Sequence, residues 1–241
     1  MEATTPAYLL TMPLHAITEV LGEQGLRDRF ALEIHRLPED DQAVLTDAME
    51  LTARLHEGQR RVREPYLNHV LRVAIRIMCY YHVTERDVLV AALLHDAVED
   101  QPWRLAGMPD KEGPAPHDAA LAEVERRYGA RVARLVDAVT NPVYTPDRDH
   151  DEQYLEHVVE SLDAEPWARV IKVSDFTDNG VGIVHTTGPK VMRAAVKYTP
   201  LVPLLRELVS RPDTPLPGEV KTHIFRQFDL AEQRFRAILG E

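Results

Sequence analysis

Apolar residues along this chain recur at helical spacing and almost nowhere alternate in the period-two manner of strands. Val44, Ala48, Leu51 and Leu55 fall at i, i+4, i+7 and i+11, one face of a helix that opens at the acidic start Pro38, Glu39, Asp40. Val70, Val73, Ala74 and Ile77 form the stripe of a helix predicted over 67–81, and a further helix is predicted over 85–100 with Thr84 as N-cap. Four prolines and two glycines in 101–117 predict a loop. Helices follow over 118–128 and 130–140, then a second loop, "TNPVYTPDRDHD", then helices over 151–163 and 166–178. The break "TTGPK" precedes a helix over 191–209, and "RPDTPLPGE" precedes the last one. That last helix carries Ile224, Phe228, Ala231, Phe235 and Ile238 on one face. The pattern predicts an all-α, compact multi-helix domain over 37–212, with a helical N-terminal extension over 1–36 and a C-terminal helix over 213–241. The Phe225, Phe228, Phe235 stripe reads as core packing, with a homodimer face as the alternative.

Charge narrows the function classes. The 39 acidic residues outnumber 28 basic ones, so a protein that coats nucleic acid by neutralising phosphates is excluded as the expectation. A local pocket for a small phosphorylated ligand is not excluded, because a pocket's field can differ from the whole surface. The lone Cys79 cannot form an internal disulfide and its apolar neighbours predict a buried thiol, which fits a reducing cytoplasm. The start "MEATTPAYLLTMPLHAI" makes a poor signal peptide, and no apolar run reaches the length of a membrane span.

One stretch concentrates the chemistry. "VLVAALL" is among the most apolar runs in the chain, yet it ends in "HDAVED". On a continuous helix His95, Asp96, Glu99 and Asp100 lie at roughly 0°, 100°, 40° and 140°, within one sector. Three crowded carboxylates repel one another, and negative charge at a helix C-terminus opposes the macrodipole. A bound cation removes both penalties, whereas a solvated helix end leaves them standing. His69 interrupts an otherwise apolar helix start, and Asp175 ends a mostly apolar run in "RVIKVSDFTDNG". Each alone reads first as a hydrogen-bonded core or cap residue. Together, two imidazoles and two carboxylates suit a borderline divalent ion such as Mn, Fe, Co or Zn.

These residues carry a resemblance. The order His…His-Asp…Asp resembles the HD-domain metal-dependent phosphohydrolases. "LHEGQRRVREPYLNHVLRVA" and "TERDVLVAALLHDAVED" resemble the hydrolase domain of the RelA/SpoT homologues, which include small alarmone hydrolases, over about residues 43–210. The resemblance implies an HD-domain fold, metal ligands at His69, His95, Asp96 and Asp175, and a catalytic acidic pair at Glu99 and Asp100. It implies a base-stacking arginine at Arg61, with Arg60 as the alternative because the loop before Glu64 is one residue shorter, and a nucleoside contact at Asn179. Independently of the family, Asp175 and Asn179 are i, i+4 and share a helix face. The implied cofactor is Mn²⁺ or another divalent ion, and the implied partner is a small-molecule nucleotide.

The expected activity is hydrolysis of a guanosine 3′-diphosphate alarmone, (p)ppGpp, at its 3′-pyrophosphate. The alternatives are an HD phosphatase for another nucleotide (a deoxynucleotide, an adenosine alarmone, a phosphorylated dinucleotide) and a non-catalytic nucleotide-binding regulator. Against the family pattern, Phe176 replaces a basic residue, Asp178 replaces an aromatic or imidazole, and the stretch Asp147–Glu152 is acidic on balance. Both places are expected to face the phosphates or base and so to weaken attraction for a highly charged substrate.

Overall fold

The computed structural model describes residues 7–61, 64–109, 113–186 and 188–240. It divides at Ala133/Arg134 into two compact units.

In the first unit a short 3-10 turn, Ala7–Thr11, leads into α1 (Leu14–Ile34) and α2 (Glu39–Leu55). α1 changes direction at Gly22, whose φ of 65° suits a residue without Cβ. Glu39, Asp40 and Asp41 place negative charge on the first turn of α2, where the helix dipole favours it. A two-residue hairpin follows: β1 (Arg60–Arg61) pairs antiparallel with β2 (Glu64–Pro65), Arg60 opposite Pro65 and Arg61 opposite Glu64. Two-residue strands are too short to leave an alternation in the sequence, and the all-α expectation otherwise holds. α3 (Tyr66–Cys79) packs against α1 on one side and α4 (Arg86–Leu94) on another. Every residue from Val88 to Leu94 in α4 has no solvent exposure, as expected of a helix apolar all round. The Thr52 hydroxyl in α2 donates to the Leu93 carbonyl at 2.8 Å, satisfying one of the acceptors a helix end leaves over.

The helix expected over 85–100 is not continuous. α4 ends at Leu94, and α5 (Ala97–Asp100) begins after Asp96, whose φ/ψ of −100°/−2° break the ladder. Glu85, not Thr84, flanks the start of α4, and it makes no side-chain cap. Within the proline-rich 101–117 segment, α6 (Pro102–Leu105) forms with Pro102 at its first position, where the missing N–H costs nothing. α7 (His117–Tyr128) is tied to α2 by Tyr128 Oη donating to Asp47 at 2.7 Å. Gly129, at φ 92°, separates it from α8 (Ala130–Val139).

The second unit holds α9 (His150–Ala164), α10 (Pro166–Asn179), a 3-10 turn over Val181–His185, α11 (Lys190–Tyr198), α12 (Leu201–Ser210) and α13 (Gly218–Leu239). The helix expected over 191–209 is two helices, because Pro200 lacks the N–H needed to continue the first. α10 packs on α9, α12 and α13. Arg169, 1% exposed, donates to the carbonyls of Leu162 and Asp163 at the end of α9 and to Asp213 and Thr214 in the loop before α13. Ile224, Phe228, Ala231 and Phe235 are buried, so the apolar stripe of α13 serves the core of this unit. Phe176 is buried too, edge-on to Phe228 at 5.5 Å, and therefore does not face a phosphate as expected. Asp178 is likewise buried. In the acidic loop, Asp149 caps α9, accepting from the N–H groups of Asp151 and Glu152, and Gln153 binds the backbone of Thr145 and Arg148. Cys79 is half-buried, less enclosed than expected, and burial pushes its thiol up to about 11. Among the described residues no helix is long and apolar enough to cross a membrane.

Candidate functional site

Three of the sequence-predicted ligands converge in the first unit. His69 sits on the first turn of α3 with no exposure, because α3 is enclosed between α1 and α4. His95 is carried at the sealed end of α4, and Asp96 occupies the break before α5. Asp96 Oδ2 lies 3.1 Å from His95 Nε2 and 3.5 Å from His69 Nε2, and the two imidazoles meet edge-to-face at 5.3 Å. His95 Nδ1 lies 2.8 Å from the Ala92 carbonyl, which can only accept, so Nδ1 carries the proton. In the neutral ring Nε2 then presents a lone pair to a carboxylate oxygen. Two acceptors at 3.1 Å repel unless a proton or a cation lies between them. The donor set and this geometry fit a divalent ion of borderline softness, and the Ala92 contact is the outer hydrogen bond that orients a ligating imidazole.

His95 and Asp96 both keep right-handed helical dihedrals at the end of α4, and the Asp96 carboxylate reaches both imidazoles from there. Burial opposes ionisation of Asp96, but without a metal His95 and His69 outweigh it when their Nε2 atoms are protonated toward it, and hold the carboxyl well below the usual range.

Tyr66, which sequence reasoning quoted without assigning a role, donates to the same Asp96 Oδ2 at 2.6 Å. Burial, with Asp96 and Asp100 nearby, pushes its hydroxyl far above the ordinary range, so it remains a donor. Its place one turn before His69 on the same face was the available signal. Tyr66 stacks on His56 at 4.7 Å, and the positive charge of Arg61 acts on the Tyr66 hydroxyl. Arg60, opposite in the pleat, lines a cavity of about 500 Å³ with Arg27, Arg54, His56 and Gln59.

Glu99 and Asp100 lie exposed on α5. Asp100 is held: Gln59 Nε2 donates to its Oδ2 at 2.7 Å. A cleft of about 320 Å³ beside this bond is lined by Gln59, Asp100, Gln101, Trp103 and Met108 among others.

Asp175 and Asn179 belong to the second unit, on α10. They share a face as expected: Asn179 Nδ2 donates to Asp175 Oδ1 at 2.6 Å, and Lys172 Nζ stands 3.6 Å from Asp175 Oδ2. Lys172 and Lys197 both approach the Tyr154 ring, Lys197 Nζ at 4.6 Å.

The profile of the HD domain matches residues 48–160. The chain is 35% identical over 136 residues to the mouse guanosine-3′,5′-bis(diphosphate) 3′-pyrophosphohydrolase MESH1, covering 55% of this chain and 65% of that protein. The Drosophila melanogaster protein of the same name is 30% identical over 140 residues, covering 57% of this chain and 68% of its own length. The match to the bifunctional (p)ppGpp synthase/hydrolase SpoT of Escherichia coli is 30% identical and covers 59% of this chain but 18% of SpoT. A solved structure of a metazoan SpoT ortholog that hydrolyzes ppGpp matches with a TM-score of 0.57 at 26% identity, covering 80% of this chain and 98% of that one. The chain thus spans about two thirds, or less, of the curated relatives named here. It belongs to the HD-domain family, in the company of the MESH1 and SpoT proteins.

Proposed function

We propose that the protein is a metal-dependent phosphohydrolase that removes the 3′-pyrophosphate of (p)ppGpp. The observation that carries this reading is the meeting of His69, His95 and Asp96 at a single carboxylate oxygen, with Tyr66 fixing that oxygen. Its setting in a chain related to named ppGpp 3′-pyrophosphohydrolases supplies the substrate class. His69, His95 and Asp96 hold the ion, Asp175 completes the set as the resemblance implies, and Mn²⁺ is the favoured metal. When bound, the ion supplies Lewis acidity toward a phosphate oxygen and acidifies a water.

The residues of the chain do the rest. Glu99, exposed one turn beyond His95, takes the proton from the attacking water, and the acidic pair passes that proton on through Asp100 to the leaving oxygen. Arg61 offers a planar cation to stack on the guanine, and Asn179 steadies the nucleoside beside Asp175. The buried imidazoles and the sealed α4 keep the metal side of the reaction dry, which strengthens every charge interaction there. The protein acts in the cytoplasm as a soluble enzyme on a small nucleotide, without nucleic acid.

The deciding measurement is kcat/KM for ppGpp, pppGpp, the adenosine counterpart and a simple 5′-nucleotide, with Mn²⁺ and at low salt. Pyrophosphate release from the 3′ position of the guanosine substrates is expected. Cleavage of the 5′-nucleotide alone would overturn the alarmone reading in favour of a general HD phosphatase.

A further inference from the structure

Gln59 sits where four polar side chains meet. Its Oε1 accepts from Gln101 Nε2 at 2.7 Å and lies 2.8 Å from His56 Nδ1. Its Nε2 donates to Asp100 Oδ2 at 2.7 Å. An amide has one acceptor and one donor end, so these contacts are mutually determining. With two donors converging on Oε1, the NH₂ group must face the carboxylate. His56 must carry its proton on Nδ1 for that arrangement. Burial lowers the pKa of His56, which favours the neutral ring this tautomer requires. His56 is itself fixed by its stack on Tyr66, 13° from parallel, and Tyr66 is fixed by Asp96. A chain of direct contacts therefore runs from Asp96 through Tyr66, His56 and Gln59 to Asp100, within one unit.

We propose that Gln59 is a positioning residue for Asp100, and that His56 sets the orientation of the Gln59 amide. The inference rests on the reading that Asp100 works at the reaction centre. Asp100 is solvent-exposed on a four-residue helix, so without Gln59 its carboxylate has several rotamers open to it. Holding Oδ2 leaves Oδ1 as the oxygen free to face the substrate. The contribution is to kcat and not to substrate affinity, since Gln59 touches Asp100 rather than the nucleotide.

The test is a double-mutant cycle in the metal-loaded enzyme. Gln59→Leu should lower kcat about 10- to 100-fold with KM and metal content nearly unchanged. In an Asp100→Ala background the same change should cost no more than about twofold, because the positioned group is already gone. Gln59→Glu keeps the size, sets a second carboxylate against the first, and should lower kcat at least as much, which covers a folding defect in the leucine variant. Independent losses in the double variant, or an unchanged kcat in both single variants, would overturn the proposal. A second readout needs no turnover. The side-chain amide resonances of Gln59 should move on Asp100→Ala and on His56→Leu, and indifference to both would also overturn it. If the wild type fails to hydrolyse ppGpp, the substrate reading falls while the amide resonances still decide the role of Gln59.

Discussion

The hydroxyl of Tyr66 and the nearest imidazole of the cluster address the same atom: Tyr66 Oη donates to Asp96 Oδ2 at 2.6 Å, and His95 Nε2 faces that oxygen at 3.1 Å. A ligating carboxylate is held at the correct angle by such an outer donor, and loss of one weakens metal binding by about 10- to 100-fold in metalloenzymes. Tyr66→Phe should therefore loosen the ion on that scale while leaving the helices intact. Competition with a coloured chelator, followed alongside circular dichroism, checks this; an unchanged metal affinity would remove Asp96 from the ligand set.

Metal should also stabilise the fold. A ligand that binds only the native state adds about 2.7 kcal/mol when its concentration is 100 times Kd. The Tm is expected to rise on adding Mn²⁺ and to fall with a chelator. In a His95→Ala variant, and in Asp175→Ala, the rise should shrink or vanish. Full metal content in the double variant His69→Ala, Asp175→Ala would place the ion elsewhere.

Glu99→Gln separates proton handling from metal binding. It keeps the size and removes the charge, so turnover should fall about 10²- to 10⁴-fold with metal content near wild type. Metal content and activity lost in parallel would make Glu99 a ligand instead.

His56 gives a stability signature of its own in the metal-free protein. Burial, only partly offset by its bond to Gln59, lowers its pKa from the ordinary 6.5. The unfolded chain then takes up a proton that the native ring resists, so stability falls as pH drops below 6.5 and levels off below the native pKa. Above that window His56 contributes no slope. Asp96, with its pKa lowered, acts in a different window: its stabilisation is present above 3.8 and is lost as pH falls toward the native value. Urea unfolding between pH 7.5 and 5 should give a shallower slope in His56→Asn than in wild type.

The helical architecture was legible because packing against neighbours forces apolar residues onto one face, as at Val44 to Leu55 or Ile224 to Phe235. The breaks within helices were less legible. Pro200 splits 191–209 where apolar spacing alone runs on, and the interruption at Asp96 has no glycine or proline to announce it. The candidate ligands were readable as residue types; what the sequence could not supply was that His69, on another helix, meets the same Asp96 oxygen as His95. Tyr66, His56 and Gln59 were given no role because an aromatic, an imidazole and an amide near a helix start have many ordinary uses. Their roles appear only when a hydrogen-bond donor is seen to meet a particular oxygen. Phe176 shows the converse: a departure from a family pattern suggested an altered site, but the ring packs with Phe228 and Phe235 inside the second unit.

The complete enclosure of α4 bears on how the protein lives without its ion. Amide protons in such a segment exchange with solvent only when the whole cooperative unit opens. His95 and Asp96 follow directly on this fully enclosed stretch. A protein built this way differs from a small zinc module, whose binding energy and folding energy are one quantity. Here the apoprotein is expected to stand as a preformed mould. Stripping the ion should raise deuterium uptake over 88–94 only as far as the fall in global stability requires, and raise it further around 95–101, so the empty form is expected to be recharged without refolding.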